Sequence, residues 1–133
     1  MIQAKELRIG NLVHIVDPFD GLIEAEILAG AIYDISEMER LGKPMPYAPI
    51  ELTEKWLFRF GFEKVCENLK HNFYHFENEN CWVYLLGADN PFFEFEINTS
   101  GGGRFNLHRS YKYVHQLQNL FYALTGQELE MKQ

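Results

Sequence analysis

The chain is short of cysteine, of basic charge and of long apolar runs, and each shortage argues against a class of protein. Cys66 and Cys81 are the only cysteines in 133 residues. Small secreted domains use denser, even-numbered cysteine frameworks, and these two lack the CxxC spacing of a metal or redox pair. Both are expected to be reduced, buried thiols of a cytoplasmic protein. Basic residues number 12 against 19 acidic ones, a formal charge of −7. Nonspecific nucleic-acid binders need a basic face to displace phosphate counterions, and the balance opposes one. The acidity reads first as solubility. No run approaches the roughly 18 apolar residues of a membrane span, so no membrane partner is expected. The opening residues Met1 to Arg8 carry charges where a signal peptide has its apolar core. There is no internal repeat and no low-complexity segment.

Aromatic residues are abundant. With 11 Phe and 7 Tyr, aromatics reach 15% of the chain, enough apolar surface for a core that needs no disulfide or metal. No cofactor is called for. The length predicts one compact domain, residues 1–133, with possible sub-units at 1–52 and 53–133.

The pattern is organised around Pro49 to Phe62. Thr53 is placed as an N-cap, Glu54 sits at the positive end of a helix dipole, and Trp56, Leu57 and Phe60 form an apolar stripe. Gly61 is placed to end the helix in the left-handed conformation. Before it, Leu12 to Val16 and Leu22 to Ala29 predict strands joined by an Asp17-Pro18-Phe19-Asp20-Gly21 hairpin. Ala31 to Ile35 predicts a further strand, 36–48 a loop with room for one helical turn at Ser36 to Leu41, and Tyr47 to Leu52 a short strand. Together these suggest an SH3-like antiparallel barrel. After the central helix, strands are predicted at 72–77, 81–86, 92–98 and 104–108, forming a meander. The 92–98 strand alternates Phe93, Phe95 and Ile97 with Glu94 and Glu96. A terminal helix over Tyr111 to Leu124 carries Val114, Leu117, Leu120 and Phe121 on one stripe, with Ser110 as N-cap and Gly126 as stop. The fold class is α+β: a short-strand barrel, a central helix, and a meander packed by the last helix.

Three stretches carry a resemblance: Glu6-Leu-Arg-Ile-Gly-Asn11, Pro49 to Leu57 with Phe60-Gly-Phe62, and Tyr113 to Leu129. In order and spacing they are similar to a family of small uncharacterised proteins of Bacteroidetes and their prophages and mobile elements. The resemblance implies a bacterial or phage setting and a single compact unit. It carries no activity and no catalytic residue.

No stretch assembles a catalytic constellation. His71 and His75 have helical metal-pair spacing but lie in a strand pattern, which would set them about 13 Å apart. His75, Cys81 and His108 could meet across strands, which keeps a small metal-dependent or thiol hydrolase open as a third reading. Gly101-Gly-Gly-Arg104 lacks the Lys-Ser/Thr of a phosphate loop and reads as a hairpin tip. Arg104, Phe105, His108, Arg109 and Lys112 form the most basic local cluster and the candidate contact loop. The first reading is a non-catalytic protein-interaction module that engages a protein partner or a second copy of itself. The alternative is a nucleic-acid-associated accessory protein acting through 104–112.

Overall fold

In a computed structural model, residues 2–67, 71–77, 81–88, 93–99 and 104–132 are described, with side chains described outside 65–73, 81–111 and 124. The expected turns at 78–80, 89–91 and 100–103 lie outside the described residues. The architecture is α+β with antiparallel sheets and three α-helices. By contact density the chain forms two units, residues 1–50 with 113–119 and residues 51–112 with 120–133.

In the first unit a 3-10 turn, Ala4–Glu6, precedes strands β1 (Leu12–Asp17) and β2 (Gly21–Glu26). Helix α1 (Ala29–Leu41) and the two-residue strand β3 (Tyr47–Ala48) follow. The sheet order is β2-β1-β3, and β1 pairs antiparallel with both neighbours. Ile2, Leu7, Val13, Ile27 and Ile35 form the core, with Ala31, Ile32, Met45 and Tyr47 packed against it.

Helix α1 overturns the strand expected at 31–35 and carries on through 36–41, where one helical turn was expected within the 36–48 loop. Ala31, Tyr33 and Ile35 fit a period of two over five residues, but Ala31, Ile32 and Ile35 fit i, i+1, i+4 on a helix, and it is these three that pack on the core while Tyr33 is exposed. The good helix formers Glu37 to Leu41 extend that reading. Gly30 makes no turn and has no positive φ. The stop comes at Gly42, at φ 66°, where the N–H groups of Gly42 and Lys43 donate to the Glu39 and Met38 carbonyls. With that segment helical and β3 short, no closed barrel forms among the described residues.

In the second unit, α2 (Glu54–Arg59) leads into β4 (Glu63–Glu67), β5 (His71–Glu77), β6 (Cys81–Ala88), β7 (Phe93–Thr99) and β8 (Arg104–Tyr111). These five strands pair in sequence order as an antiparallel meander, one strand more than the pattern gave. Thr53 stands at the N-cap of α2, but its hydroxyl makes no capping bond. The C-terminal stop is as expected. Gly61 has φ 93°, its N–H donates to Phe58 O at 3.0 Å, and Phe62 N–H donates to Leu57 O at 2.9 Å. This 6→1, 5→2 pair is a Schellman motif, and its apolar partners Leu57 and Phe62 are both buried.

Helix α3 (Val114–Thr125) starts with its apolar stripe at Val114, three residues later than Ser110 as N-cap suggested, because β8 runs through Ser110 to Tyr111. Its N-terminus is closed by Gln116, whose side-chain oxygen accepts the Tyr113 N–H at 3.0 Å, the return half of a capping box. Gly126, at φ 73°, follows its last turn. The second half of α3 joins the aromatic core of its unit: Phe76 lies 5.3 Å from Phe62 and meets Phe121 edge-on at 5.4 Å. Trp56 is 6% exposed, 5.9 Å from the Phe60 ring, with the Arg59 guanidinium 4.1 Å from its ring centre. Trp56→Ala removes this buried ring and is expected to cost about 3–5 kcal/mol of stability. Urea unfolding followed by far-UV circular dichroism measures it, and near-wild-type stability would show that α2 is not a core element.

Candidate functional site

The richest polar cluster of the first unit joins the Glu6–Asn11 segment to the start of α3. Asn119 Oδ1 accepts from Asn11 Nδ2 at 2.7 Å and from Arg8 Nη1 at 2.8 Å, while Asn119 Nδ2 donates to Glu6 O at 2.8 Å. Gln118 Oε1 accepts the Leu12 N–H at 2.9 Å, and its Nε2 donates to Gly10 O at 3.3 Å. Asn11 Oδ1 accepts the Arg8 N–H at 2.7 Å and closes the local turn, in which Gly10 takes φ 98°. Asn11 and Gln118 are buried, so these bonds replace water that the groups have lost. Residues 6–12 and 118–119 are thus the two sides of one hydrogen-bonded latch.

His115 belongs to the same cluster. It is 1% exposed, stacks on Tyr113 at 5.8 Å and sets Nε2 3.4 Å from Glu6 Oε1. Burial pushes its pKa below the ordinary 6.5, and the Glu6 carboxylate partly opposes that shift. Its Nδ1 is buried without a hydrogen-bond partner. A Glu–His pair is the beginning of an acid–base relay, but here the ring nitrogen that would face a substrate is sealed inside the protein. The pair therefore serves the packing of this corner.

The cluster generates two expectations. Asn119→Ala strands the Asn11 amide and is expected to cost about 1–3 kcal/mol by chemical denaturation, as loss of a partner to a buried polar group does. Because the folded protein holds His115 below its ordinary pKa, the unfolded chain binds more protons as pH falls through 6.5. Stability is therefore fullest above that value and declines below it. Melting temperature should fall on going from about pH 8 to about pH 5, and His115→Gln should flatten that slope.

The contact loop expected at 104–112 takes a different form. Arg104, Phe105, His108 and Arg109 lie on β8, the outer strand of the meander, where their side chains are outside the described residues. Arg104 and Phe105 hold regular register against Asn98 and Ile97, but the register shifts between Leu107 and Tyr111. His108 and Arg109 fall inside that irregularity. Lys112 lies beyond the strand, half-buried, its carbonyl accepting the Leu52 N–H at 2.8 Å. One strand and its exit carry all five residues.

The His75, Cys81 and His108 grouping is separated by the topology. β5 and β8 are the second and fifth strands of the meander, three inter-strand spacings or about 14 Å apart. One metal ion cannot bridge that distance. Among the described residues no three His, Cys, Asp or Glu side chains converge.

The remaining candidate is the β1–β2 hairpin, whose tip the sequence pattern marked only as a turn. Asp17 Oδ1 accepts the N–H groups of Phe19 at 2.7 Å and Asp20 at 2.9 Å. Those two bonds hold the Asp17 carboxyl below its ordinary pKa of 3.8, so the turn is fastened by a carboxylate. The side chain held at its apex is Phe19, 93% exposed. Val16 and Leu22 face each other across the strands below it, 47% and 60% exposed, beside the half-open Ile23. A phenylalanine between Pro18 and Asp20-Gly21 was the available signal, since turn tips rarely gain from an aromatic ring.

No protein-family model, curated protein or solved structure matches the chain.

Proposed function

We propose that the protein is a non-catalytic interaction module of a bacterial or prophage system, and that it engages a protein partner through the β1–β2 hairpin. On this reading the N-terminal sheet is a small SH3-like platform, and the hairpin is the part that it presents. The observation that carries the proposal is the apolar tip: Phe19 stands open on a turn that Asp17 braces, above the exposed cross-strand pair Val16 and Leu22. Leaving a phenylalanine in water forgoes roughly 1.5–3 kcal/mol of burial, and a partner surface recovers it. A rigid aromatic anchor flanked by aliphatic side chains is the kind of group that dominates protein interfaces. The similarity of residues 6–11, 49–62 and 113–129 to small Bacteroidetes and prophage proteins supports the setting.

A benzophenone amino acid at position 19 tests the proposal by photocrosslinking in bacteria that carry the gene. Covalent adducts to a protein are expected at position 19 and not at the exposed position 130. Combining Val16→Ser with Leu22→Ser should remove them. Equal labelling at both positions, or none at position 19, overturns the proposal.

A further inference from the structure

The geometry points to a protein partner of one chemistry for the β1–β2 hairpin: an apolar socket that takes the Phe19 ring, rimmed by basic side chains that meet the Asp17 and Asp20 carboxylates. This rests on the interaction reading and deepens it by naming what the partner presents.

The ring sets the socket. Phe19 is 93% exposed, and its N–H donates to Asp17 Oδ1 at 2.7 Å, which fixes the backbone that carries the ring. Val16 and Leu22 stand opposite each other on the strands below, both exposed. A ring held on a braced turn loses little conformational freedom on docking. It is drawn out of water most fully by a concave apolar surface, the setting in which interface anchors contribute most.

The charges set the rim. Asp17 and Asp20 flank the ring on the same turn, and Asp20 is exposed. The Phe19 and Asp20 N–H groups that Asp17 accepts favour its ionised form. Neither aspartate forms an ion pair among the described residues. Glu24 is not part of the rim, because it already interacts within the chain. The surrounding sequence supplies no counter-charge: from Ile9 to Glu39 there are seven acidic residues and neither lysine nor arginine. Docking the ring carries both carboxylates to the edge of the contact, where they give up part of their water. A basic side chain there replaces it with a charge-assisted hydrogen bond. Arginine fits best, since its planar guanidinium bonds a carboxylate through two N–H groups and lies against an aromatic face. Joining the tips of two copies of this chain would set Asp17 and Asp20 against their like, and phosphate backbones are repelled in the same way.

The full chain with the benzophenone amino acid at position 19 provides the test, read as adduct yield in bacteria that carry the gene. Asp20→Lys is expected to cut the yield about five- to tenfold, and Asp20→Asn, which keeps the side chain's size, to give a smaller loss. Asp34→Lys reverses an exposed charge on α1 and should leave the yield unchanged. Far-UV circular dichroism of the three variants should match the wild type. In a cleared extract, raising sodium chloride from about 50 mM to about 500 mM should lower the yield several-fold. Mass spectrometry of the adduct should place the attachment on an apolar surface beside an arginine or lysine, and changing that residue to glutamate should restore the Asp20→Lys adduct. Equal losses from Asp20→Lys and Asp34→Lys, no loss from either Asp20 variant, indifference to salt, or attachment to a second copy of this chain overturns the basic rim. If adducts form but ignore charge and salt, the rim falls and the interaction reading stands; if the adducts are absent, both fall.

Discussion

The first unit depends on three amide side chains. Asn11, Gln118 and Asn119 tie residues 6–12 to a helix more than a hundred positions later in the chain. Apolar packing alone would leave that match loose, because burial is nondirectional and tolerates sliding. A buried amide does not tolerate it, since a displaced partner leaves a donor or acceptor unpaired in a medium without water. The latch therefore fixes which turn of α3 meets the Gly10 turn. Ile2, Leu7 and Val13 supply bulk around it, and His115 with Glu6 closes the same corner. Closing a loop of that length costs only slightly more than closing one half as long, so a handful of directional bonds is enough to set the register.

What could be read from the sequence followed from how local each cause is. Gly42, Gly61 and Gly126 all take positive φ at helix ends, and glycine is the one residue free to do so, which made the stops at Gly61 and Gly126 readable without tertiary context. Strand β7 was readable because Phe93, Phe95 and Ile97 alternate with glutamates over seven residues. Residues 31–35 were not, because five residues with three apolar positions satisfy both periods. Only the core contacts of Ile32 and Ile35 choose the helix. The start of α3 was missed for a related reason: its apolar stripe is real, but β8 extends to Tyr111, and strand pairing is a nonlocal fact that no local N-cap signal carries.

The candidate sites divide on the same distinction. Arg104 to Lys112 are neighbours in sequence, and the structure places them on one strand, with a register shift, and its exit. His75, Cys81 and His108 looked compatible because strand order was unknown, and the meander places two strands between β5 and β8. The hairpin was visible as a turn but not as a surface. Exposure of Phe19 depends on which strand lies beside which.

The aromatic surplus first suggested a binding surface, but the described part of it has another use. Phe60, Phe62, Phe76 and Phe121 are consumed within the second unit, packed on one another or on Trp56. Composition counts aromatics without knowing which are already partnered, so it points at the core more strongly than at any interface. A single exposed ring on a turn braced by Asp17 is smaller and more specific, because it depends on which side chain the fold leaves open rather than on how many rings the chain carries.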